Sequence, residues 1–257
     1  MKLAFYDDFR LGVVQGNQIV DVSQVVANKS SLKPNDLINH IIENFQLYEG
    51  PIRSSAENGD PISITKVKFR SPLPKPGKIV CMAINYLEGG PDSKMPPING
   101  FLKSPNSVAG DGDTVALPGA SASIFEHEAE LALVIGKRAS NVKQEDAYDY
   151  IFGYLNFIDV SARGLLPPGN TFYQMKSRDT FAPMGPWIAT ADEIQNPQAL
   201  PIKLWVNGEL KQNFNSDDMA HKIPRIIEWV TSIHTLEPGD IVATGTNHGG
   251  LSALMDG

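Results

Sequence analysis

Two apolar stretches, EHEAELALVIG at residues 126–136 and YIFGYLNFIDV at residues 150–160, indicate the fold of this chain. Both are rich in aromatic and aliphatic residues, which is typical of buried strands. Further short apolar runs lie around them: KIVCMAI (78–84), TVALP (114–118), WIAT (187–190) and IKLWVNGELKQ (202–212). The Asn-Gly pair of the last run suits a hairpin turn. The sequence therefore predicts an α+β fold that is mainly β.

The first 70 residues are predicted to form a small β-rich accessory domain. Short runs with turns between them, from LAFY at 3–6 to QIVDVS at 18–23, indicate a β meander. From Asn35 the apolar residues take helical spacing, which predicts one amphipathic helix capped by that asparagine. Proline and glycine concentrate over residues 50–77, and such clusters commonly join domains. We therefore expect the catalytic domain to span 71–257.

A second helix is predicted within NSDDMAHKIPRIIEWVTSIH at residues 215–234. Ser216 and the two aspartates after it favour its start, because acidic groups suit a helix N-terminus. Pro224 belongs in the first turns, where its missing N–H leaves no helical bond unmade. The predicted apolar stripe consists of Ile223, Ile226, Ile227, Val230 and Ile233.

Composition excludes several classes of protein. The 257 residues are 42% hydrophobic and 20% charged, which indicates a folded globular chain rather than a disordered one. The net charge of −7 opposes binding to nucleic acid. We expect a cytoplasmic location and no membrane partner, because the N-terminus carries acids and no stretch approaches the roughly 20 apolar residues of a membrane span. The single cysteine, Cys81, excludes an intramolecular disulfide and predicts a buried strand thiol.

Three acids lie in or beside the two decisive stretches. Glu128 and Glu130 should leave one strand face about 7 Å apart, while His127 between them faces the other way and is expected to be packed or partly exposed rather than a ligand. Asp159 ends an apolar run, where a buried carboxylate needs a cation or hydrogen bonds. A solvated strand face and a metal site both remain open. If a metal binds, oxygen ligands favour Mg²⁺ first, then Mn²⁺ or Ca²⁺.

Two cations could serve a substrate near these acids. Lys176 and Arg163 could each bind a carboxylate or stabilise an enolate, although each alone is also typical of a surface charge. Their proximity to the acids is a hypothesis.

Six motifs occur in an order that carries further information: EHEAELALVIGKRA (126–139), GYLNFIDVSARG (153–164), KSRDTFAPMGPWI (176–188), VNGEL (206–210), LEPGD (236–240) and ATGT (243–246). Together they resemble the fumarylacetoacetate hydrolase family over about residues 71–257. The N-terminal module also resembles the small accessory domain that many members carry.

This resemblance implies a catalytic domain built on a rolled mixed β-sheet, a homodimer, and a small enolisable keto acid or diketone as substrate. The implied ligands of a magnesium-type ion are Glu128, Glu130 and Asp159. The residues implied to face the substrate are Lys176, Arg163, Lys103 of FLKSP and Thr246 of ATGT. Family members typically continue through another strand or two beyond LMDG at 254–257, so oligomer contacts could be affected.

The chain departs from the family pattern where water is activated. Hydrolytic members carry a lid resembling NYxxHxxE, but residues 85–92 read NYLEGGPD, with Gly89 and Asp92 at the positions of the histidine and glutamate. A lost general base costs about 10²–10⁴-fold in rate. His248 is the candidate replacement because imidazole titrates near neutrality. It could instead be a loop histidine bonded to backbone, and Glu88 or Asp92 could act as the base.

Two other segments depart as well. The SARDxxQ-like stretch of the family reads SARGLLPP at 161–168, with Gly164 and Leu166, and TGTPxG reads TGTNHGG at 244–250.

The leading hypothesis is a metal-dependent hydrolase that cleaves a C–C bond in a small acylpyruvate or 1,3-diketo acid through a metal-bound enolate. Isomerase, decarboxylase or tautomerase activity on 2-oxo acids is the alternative, because these reactions share the enolate and need no activated water. A non-catalytic binding protein is a minor alternative.

Overall fold

A computed structural model describes residues 1–29, 31–88, 90, 93–119, 122, 124–165 and 172–248. Strands make up most of the regular structure in these ranges: β1 (Lys2–Tyr6), β2 (Arg10–Gln15), β3 (Gln18–Asp21), β4 (Pro61–Ser63), β5 (Phe69–Arg70), β6 (Ile79–Met82), β7 (Gly100–Lys103), β8 (Val108–Ala109), β9 (Ile124–Ile135), β10 (Ile151–Arg163), β11 (Ala182–Thr190), β12 (Pro201–Val206), β13 (Glu209–Asn215) and β14 (Ile241–Ala243). The α-helices are α1 (Pro34–Glu43), α2 (Phe45–Asn58), α3 (Phe172–Lys176) and α4 (Ile223–Ile233). The prediction of a mainly β, α+β fold is confirmed.

One mixed sheet organises the molecule. Its strands follow the order β4-β3-β2-β1-β11-β10-β9-β14-β6-β7, with β5 beside β1 and β8 beside β11. Most neighbours are antiparallel, whereas β14 pairs with β6 and β8 with β11 in parallel. Because β1 pairs with β11, the N-terminal meander joins the same sheet as the C-terminal strands. A domain division at residue 70 stays a prediction.

The sheet is buried on both faces along β9, because its residues from His127 to Ile135 are all buried and successive side chains point to opposite faces. Leu131, Leu133 and Ile135 pack in a cluster with the apolar face of α4. Ala132 and Val134, which point to the opposite face, belong to the cluster that α1 and α2 cover. Long strands that are buried on both faces form a stiff support. The acids discussed below lie on two of these strands, β9 and β10.

The helices correct several expectations. Two helices follow the meander instead of one, and Asn35 lies inside α1 with its side chain accepting a hydrogen bond from Lys75 N at 3.1 Å. The later helix begins at Ile223 rather than near Ser216, because Asn215 and Asp218 form a capping box that closes a separate 3₁₀ turn. Ile233 is 60% exposed, since it is the last residue of a helix shorter than predicted.

Other local predictions have mixed outcomes. Pro224 lies in the first turn of α4, and Asn207 and Gly208 form the hairpin turn between β12 and β13, both as predicted. Cys81 is buried in β6 with a free thiol, also as predicted. The run TVALP at 114–118 forms no strand; its Ala116 N–H bonds instead to the Thr180 hydroxyl at 2.8 Å. None of the helices in the described ranges has the length and apolar character that crossing a lipid bilayer requires.

Candidate active site

Strand register brings the three predicted acids together. Glu128 of β9 lies directly opposite Asp159 of β10, and Glu130 follows on the same face opposite Phe157. All three carboxylates are buried, and one oxygen from each can be chosen so that these atoms lie within 4.8 Å of one another. The solvated strand face that the sequence left open is therefore excluded.

Two lysines neutralise part of this cluster. The Lys176 ammonium, at the end of α3, donates to Glu128 Oε2 at 2.7 Å and to Asp159 Oδ2 at 2.6 Å. The Lys103 ammonium, at the end of β7, donates to Asp159 Oδ1 and, at 3.2 Å, to the Val160 carbonyl. Both side chains are buried, so water screens these contacts weakly.

The pKa values of Asp159, Lys176 and Glu130 are each shifted by these surroundings. Burial alone would raise the pKa of Asp159, but the charges and hydrogen bonds of Lys103 and Lys176 hold it below its ordinary value. Burial alone would lower the pKa of Lys176, but Asp159 and Glu128 hold it above its ordinary value. The pKa of Glu130 is raised well above its ordinary value, chiefly by burial and then by the charges of Asp159 and Glu128.

Arg163 lies beside the same group of acids. Its Nε donates to Glu126 Oε2 at 2.6 Å, and its Nη2 donates to Glu128 Oε1 at 3.1 Å. The Ser161 hydroxyl also donates to Glu128 Oε1, at 3.0 Å. Arg163 is therefore held beside the acids, as hypothesised from the sequence, rather than lying on an unrelated surface.

The donor set fits a divalent metal ion. With all four ionised, as binding of a cation would require, the carboxylates of Glu126, Glu128, Glu130 and Asp159 exceed the three cationic side chains beside them by one negative charge. Glu130 in particular accepts the Gly245 N–H at 2.8 Å and, among the contacts of the described residues, none from an ammonium group. Buried oxygen ligands with excess negative charge suit hard divalent cations.

A cavity of about 390 Å³ opens over this cluster. Glu128, Arg163 and Lys176 form its charged wall. Phe101 of β7 and Phe172 of α3 contribute an apolar wall, where their rings stack with centroids 4.5 Å apart. The cavity therefore offers charged contacts to one end of a small anion and flat apolar contacts to another part.

The residues implied to bind substrate differ in placement. Thr246 lines the cavity, but its hydroxyl donates to the Ala129 carbonyl at 2.7 Å and accepts from Gln212 Nε2 at 3.0 Å. Lys103 does not line this cavity and lies behind Asp159. Substrate contact by Thr246 and Lys103 stays a prediction.

His248 lines the same cavity and is paired with Glu88. The imidazole Nδ1 lies 2.5 Å from Glu88 Oε1, which also accepts the His248 backbone N–H at 3.0 Å. The histidine thus faces the cavity instead of bonding to backbone carbonyls. Gly89, Asp92, Leu166 and the C-terminal residues after 248 lie outside the described residues.

His127 does not join the acids. It faces the opposite side of β9, across from Val160, and is 6% exposed. Its two ring nitrogens make no hydrogen bond within the described part of the chain. The prediction that it is packed is confirmed.

Comparison with known proteins identifies the family. A model of the fumarylacetoacetate (FAA) hydrolase C-terminal domain matches residues 78–257. The chain belongs to the fumarylacetoacetate hydrolase family. It is 34% identical to maleylpyruvate hydrolase of Aquipseudomonas alcaligenes, over 97% of this chain and 91% of that protein. It is also 42% identical to oxaloacetate tautomerase YisK of Bacillus subtilis (strain 168), over 73% of this chain and 64% of that protein.

Solved structures agree. The crystal structure of maleylpyruvate hydrolase from Sphingobium sp. SYK-6 in complex with manganese(II) and pyruvate superposes with a TM-score of 0.88 at 35% identity, covering all of this chain and 92% of that one. The chain is therefore an enzyme of a family whose members include hydrolases, isomerases and tautomerases. Its buried acidic site is suited to a divalent metal.

Two residues that hold parts of this site, Gln212 and Ser161, were not predicted from the sequence. Gln212 of β13 is buried and binds three partners: it accepts from Ala129 N and donates to Thr246 Oγ1 and to the Asn247 carbonyl, at 2.8–3.0 Å. In the sequence, Gln212 is indistinguishable from an ordinary residue of the predicted hairpin. Ser161 could have been found, because it lies two residues after Asp159 and so shares its strand face.

Proposed function

We propose that this enzyme is a hydrolase that cleaves a C–C bond in a small acylpyruvate or 1,3-diketo acid, with Mg²⁺ as the preferred ion and Mn²⁺ or Ca²⁺ as alternatives. One observation carries the proposal. A single small cavity is lined by Glu128 of the carboxylate cluster with Arg163 and Lys176, and also by His248, which is paired with Glu88. These are the two parts that enolate stabilisation and water activation need.

The charged wall would hold the 2-oxo acid end of the substrate. A divalent ion held by Glu128, Glu130 and Asp159 would polarise the oxo group and favour the enolate. Arg163 and Lys176 face the same space, and their cationic groups would bind the substrate carboxylate and hold it in place. The apolar wall of Phe101 and Phe172 would contact the acyl part.

His248 would act as the general base. The Glu88 carboxylate at Nδ1 favours the tautomer that carries its proton there, which leaves Nε2 to accept a proton. A carboxylate beside the ring also stabilises the imidazolium that forms. Glu88 is therefore assigned as a positioning residue for His248 rather than as the base itself.

In the proposed hydrolysis, one water molecule is consumed and His248 carries one proton from it to the substrate. His248 Nε2 takes a proton from water, and the hydroxide oxygen forms a bond to the acyl carbonyl carbon. The C–C bond to the neighbouring methylene then breaks, and its electron pair becomes the enolate of pyruvate. The proton on His248 is delivered to that carbon, which yields pyruvate and a carboxylic acid.

Tautomerisation of a 2-oxo acid is the second candidate. The 42% identity to an oxaloacetate tautomerase favours it, as does glycine at the position of the lid histidine. In this reaction His248 would only move a proton between carbon and oxygen. Isomerisation or decarboxylation would use the same enolate and the same cations.

The deciding experiment identifies products. The protein loaded with Mg²⁺ is incubated with acylpyruvates, oxaloacetate and unsaturated 2-oxo diacids, and the reaction is followed by NMR in ordinary and deuterated water. Pyruvate plus a carboxylic acid would support hydrolysis. Proton exchange or enol–keto conversion without cleavage would favour the tautomerase, and loss of CO₂ the decarboxylase.

We also propose a homodimer, as the family resemblance implies. Large apolar side chains on the surface agree with a buried interface: Tyr173 is 74% exposed and Trp205 56% exposed. Sedimentation equilibrium gives the mass directly, and a monomer at micromolar concentration would contradict this proposal.

A further inference from the structure

The Lys176 ammonium occupies a position that a bound metal ion would need. It touches two of the three candidate ligands, Glu128 and Asp159, through a single oxygen of each. Glu128 and Asp159 are two of the three acids that each offer one oxygen within 4.8 Å of the others. The lysine therefore lies at the cluster and not merely beside it.

The remaining oxygens of these two acids are already committed. Glu128 Oε1 accepts hydrogen bonds from Ser161 at 3.0 Å and from Arg163 at 3.1 Å. Asp159 Oδ1 accepts from Lys103. Among the contacts of the described residues, Glu128 Oε2 and Asp159 Oδ2 are the oxygens that Lys176 holds. A cation that binds both acids without dismantling the outer contacts must take these two oxygens from Lys176.

An ammonium and a divalent ion cannot share these oxygens at low cost. Both are positive, and the site is buried, so their repulsion is screened much less than in water. We infer that Lys176 is a built-in competitor of the metal: its ammonium neutralises Glu128 and Asp159 before the ion enters, and the ion displaces it into the cavity. The inference rests on the metal site of the proposed function, but not on the reaction.

The structure offers the displaced side chain a place to go. Lys176 already lines the cavity, and its ammonium lies 5.3 Å from the centre of the Phe101 ring, within the range of a cation–π contact. Lys176 is also the last residue of α3, which spans five residues. A side-chain rotation toward Phe101 would keep the ammonium in contact with a favourable partner while the two oxygens become available.

Displacement would also adapt the site to an anion. With all four carboxylates ionised and Lys176 in place, the acids exceed the three cationic side chains by one negative charge, and a divalent ion changes this to one excess positive charge. The released ammonium would then meet the substrate carboxylate instead of a protein carboxylate. Metal binding is therefore expected to precede substrate binding, and the substrate anion should bind weakly to the metal-free enzyme.

The first test removes the competing charge and keeps the length of the side chain. Lys176→Met is expected to bind Mn²⁺ at least about tenfold more tightly than the natural protein in the absence of substrate, as measured by the electron paramagnetic resonance signal of free Mn²⁺. Lys103→Met is the matched control, because it removes one ammonium from the same Asp159 but from the outer oxygen. Its effect on Mn²⁺ affinity should be clearly smaller.

The second test uses the natural protein and covers the case in which Lys176→Met fails to fold. Lysines are methylated reductively with and without saturating Mg²⁺, and each site is quantified by mass spectrometry. Methylation of Lys176 should increase severalfold with the ion, whereas Lys103 stays protected and the exposed Lys143 is unchanged as an internal control.

The outcomes separate this inference from the proposed function. Unchanged or weaker Mn²⁺ binding by a folded Lys176→Met protein overturns the competition, as does Lys176 methylation that metal binding leaves unaltered. If the natural protein binds no divalent ion, both the inference and the metal site fail. If Lys176 responds to the ion but no keto acid is consumed, the proposed reaction alone fails.

Discussion

Replacing Glu130 by glutamine should change how stability depends on pH. Glu130 is buried, and its carboxylate contacts the Gly245 N–H rather than a cation. Glutamine has nearly the same shape and its carbonyl can accept the same hydrogen bond. Glu130→Gln therefore removes the charge while leaving the packing and the hydrogen bond in place.

The direction of the effect follows from the raised pKa of Glu130, which burial causes first and the charges of Asp159 and Glu128 second. Above the ordinary value of 4.5, the unfolded chain loses this proton while the metal-free folded protein keeps it. The folded state then binds one proton more, so the free energy of unfolding falls by about 1.4 kcal/mol per pH unit until the pKa of the folded state is reached. The affected pH range extends from the ordinary pKa of this carboxyl up to its raised pKa in the folded protein.

Asp159 does not change how the free energy of unfolding depends on pH in this range. Its pKa is lowered in the folded protein, so its contribution to stability is complete above its ordinary value of 3.8 and is lost only as the pH falls. The difference in unfolding free energy between the natural protein and Glu130→Gln therefore isolates Glu130 above pH 5.

Urea unfolding of both metal-free proteins between pH 5 and 8, followed by circular dichroism, measures this difference. Excess Mg²⁺ at 100 times its dissociation constant should restore about 2.7 kcal/mol to the natural protein near pH 8 and much less to Glu130→Gln. A pH-independent difference between the two metal-free proteins would refute the reasoning, because Glu130 would then be ionised at no cost throughout.

Three further substitutions test other parts of the site. Lys176→Ala should abolish turnover while the protein still binds Mn²⁺, which combined kinetics and metal titration would check; normal turnover would remove this lysine from the mechanism. His248→Ala should lower kcat by about 10²–10⁴-fold with little change in Mn²⁺ affinity, and an unchanged kcat at saturating substrate would exclude it as the base. Gly245→Ala should cost about 1–3 kcal/mol in urea unfolding and weaken Mn²⁺ binding, because Gly245 has φ +88° and an added Cβ would lie 3.0 Å from Asn85 Cβ; a stable variant with normal affinity would contradict this.

Local patterns in the sequence predicted the support of the site well. Alternation along residues 124–135 places Glu128 and Glu130 on one face, and the pairing of β9 with β10 then places Asp159 opposite Glu128. A two-residue period and a long buried strand leave little freedom in which face each side chain takes. The convergence of the acids could therefore be anticipated, although alternation alone could not distinguish a buried site from a solvated one.

Contacts between distant segments could not be predicted in this way. Glu88 and His248 are separated by 160 positions, and each occupies a segment without regular periodicity. The sequence named both as separate candidates for one role, whereas the structure joins them in one pair.

The start of the helix near residue 223 could not be predicted from the sequence either, because the Asn215 capping box closes a separate turn before it. Propensity indicates a helix but leaves its boundary to competing local hydrogen bonds.

The change in the lid is physically compatible with a working site because the two halves of the chemistry rest on different supports. The acids, Lys103 and Arg163 are held on or beside strands buried in the sheet, so the arrangement that stabilises an enolate is rigid. The pair that we propose for proton transfer, Glu88 and His248, lies on two other segments and lines the same cavity. A base on one segment can therefore be exchanged for a base on another without disturbing the enolate site. If His248 is the base, as we propose, the position of its Nε2 relative to the bound substrate would decide the reaction: water between them would lead to hydrolysis, whereas direct contact with the acidic carbon would lead to tautomerisation.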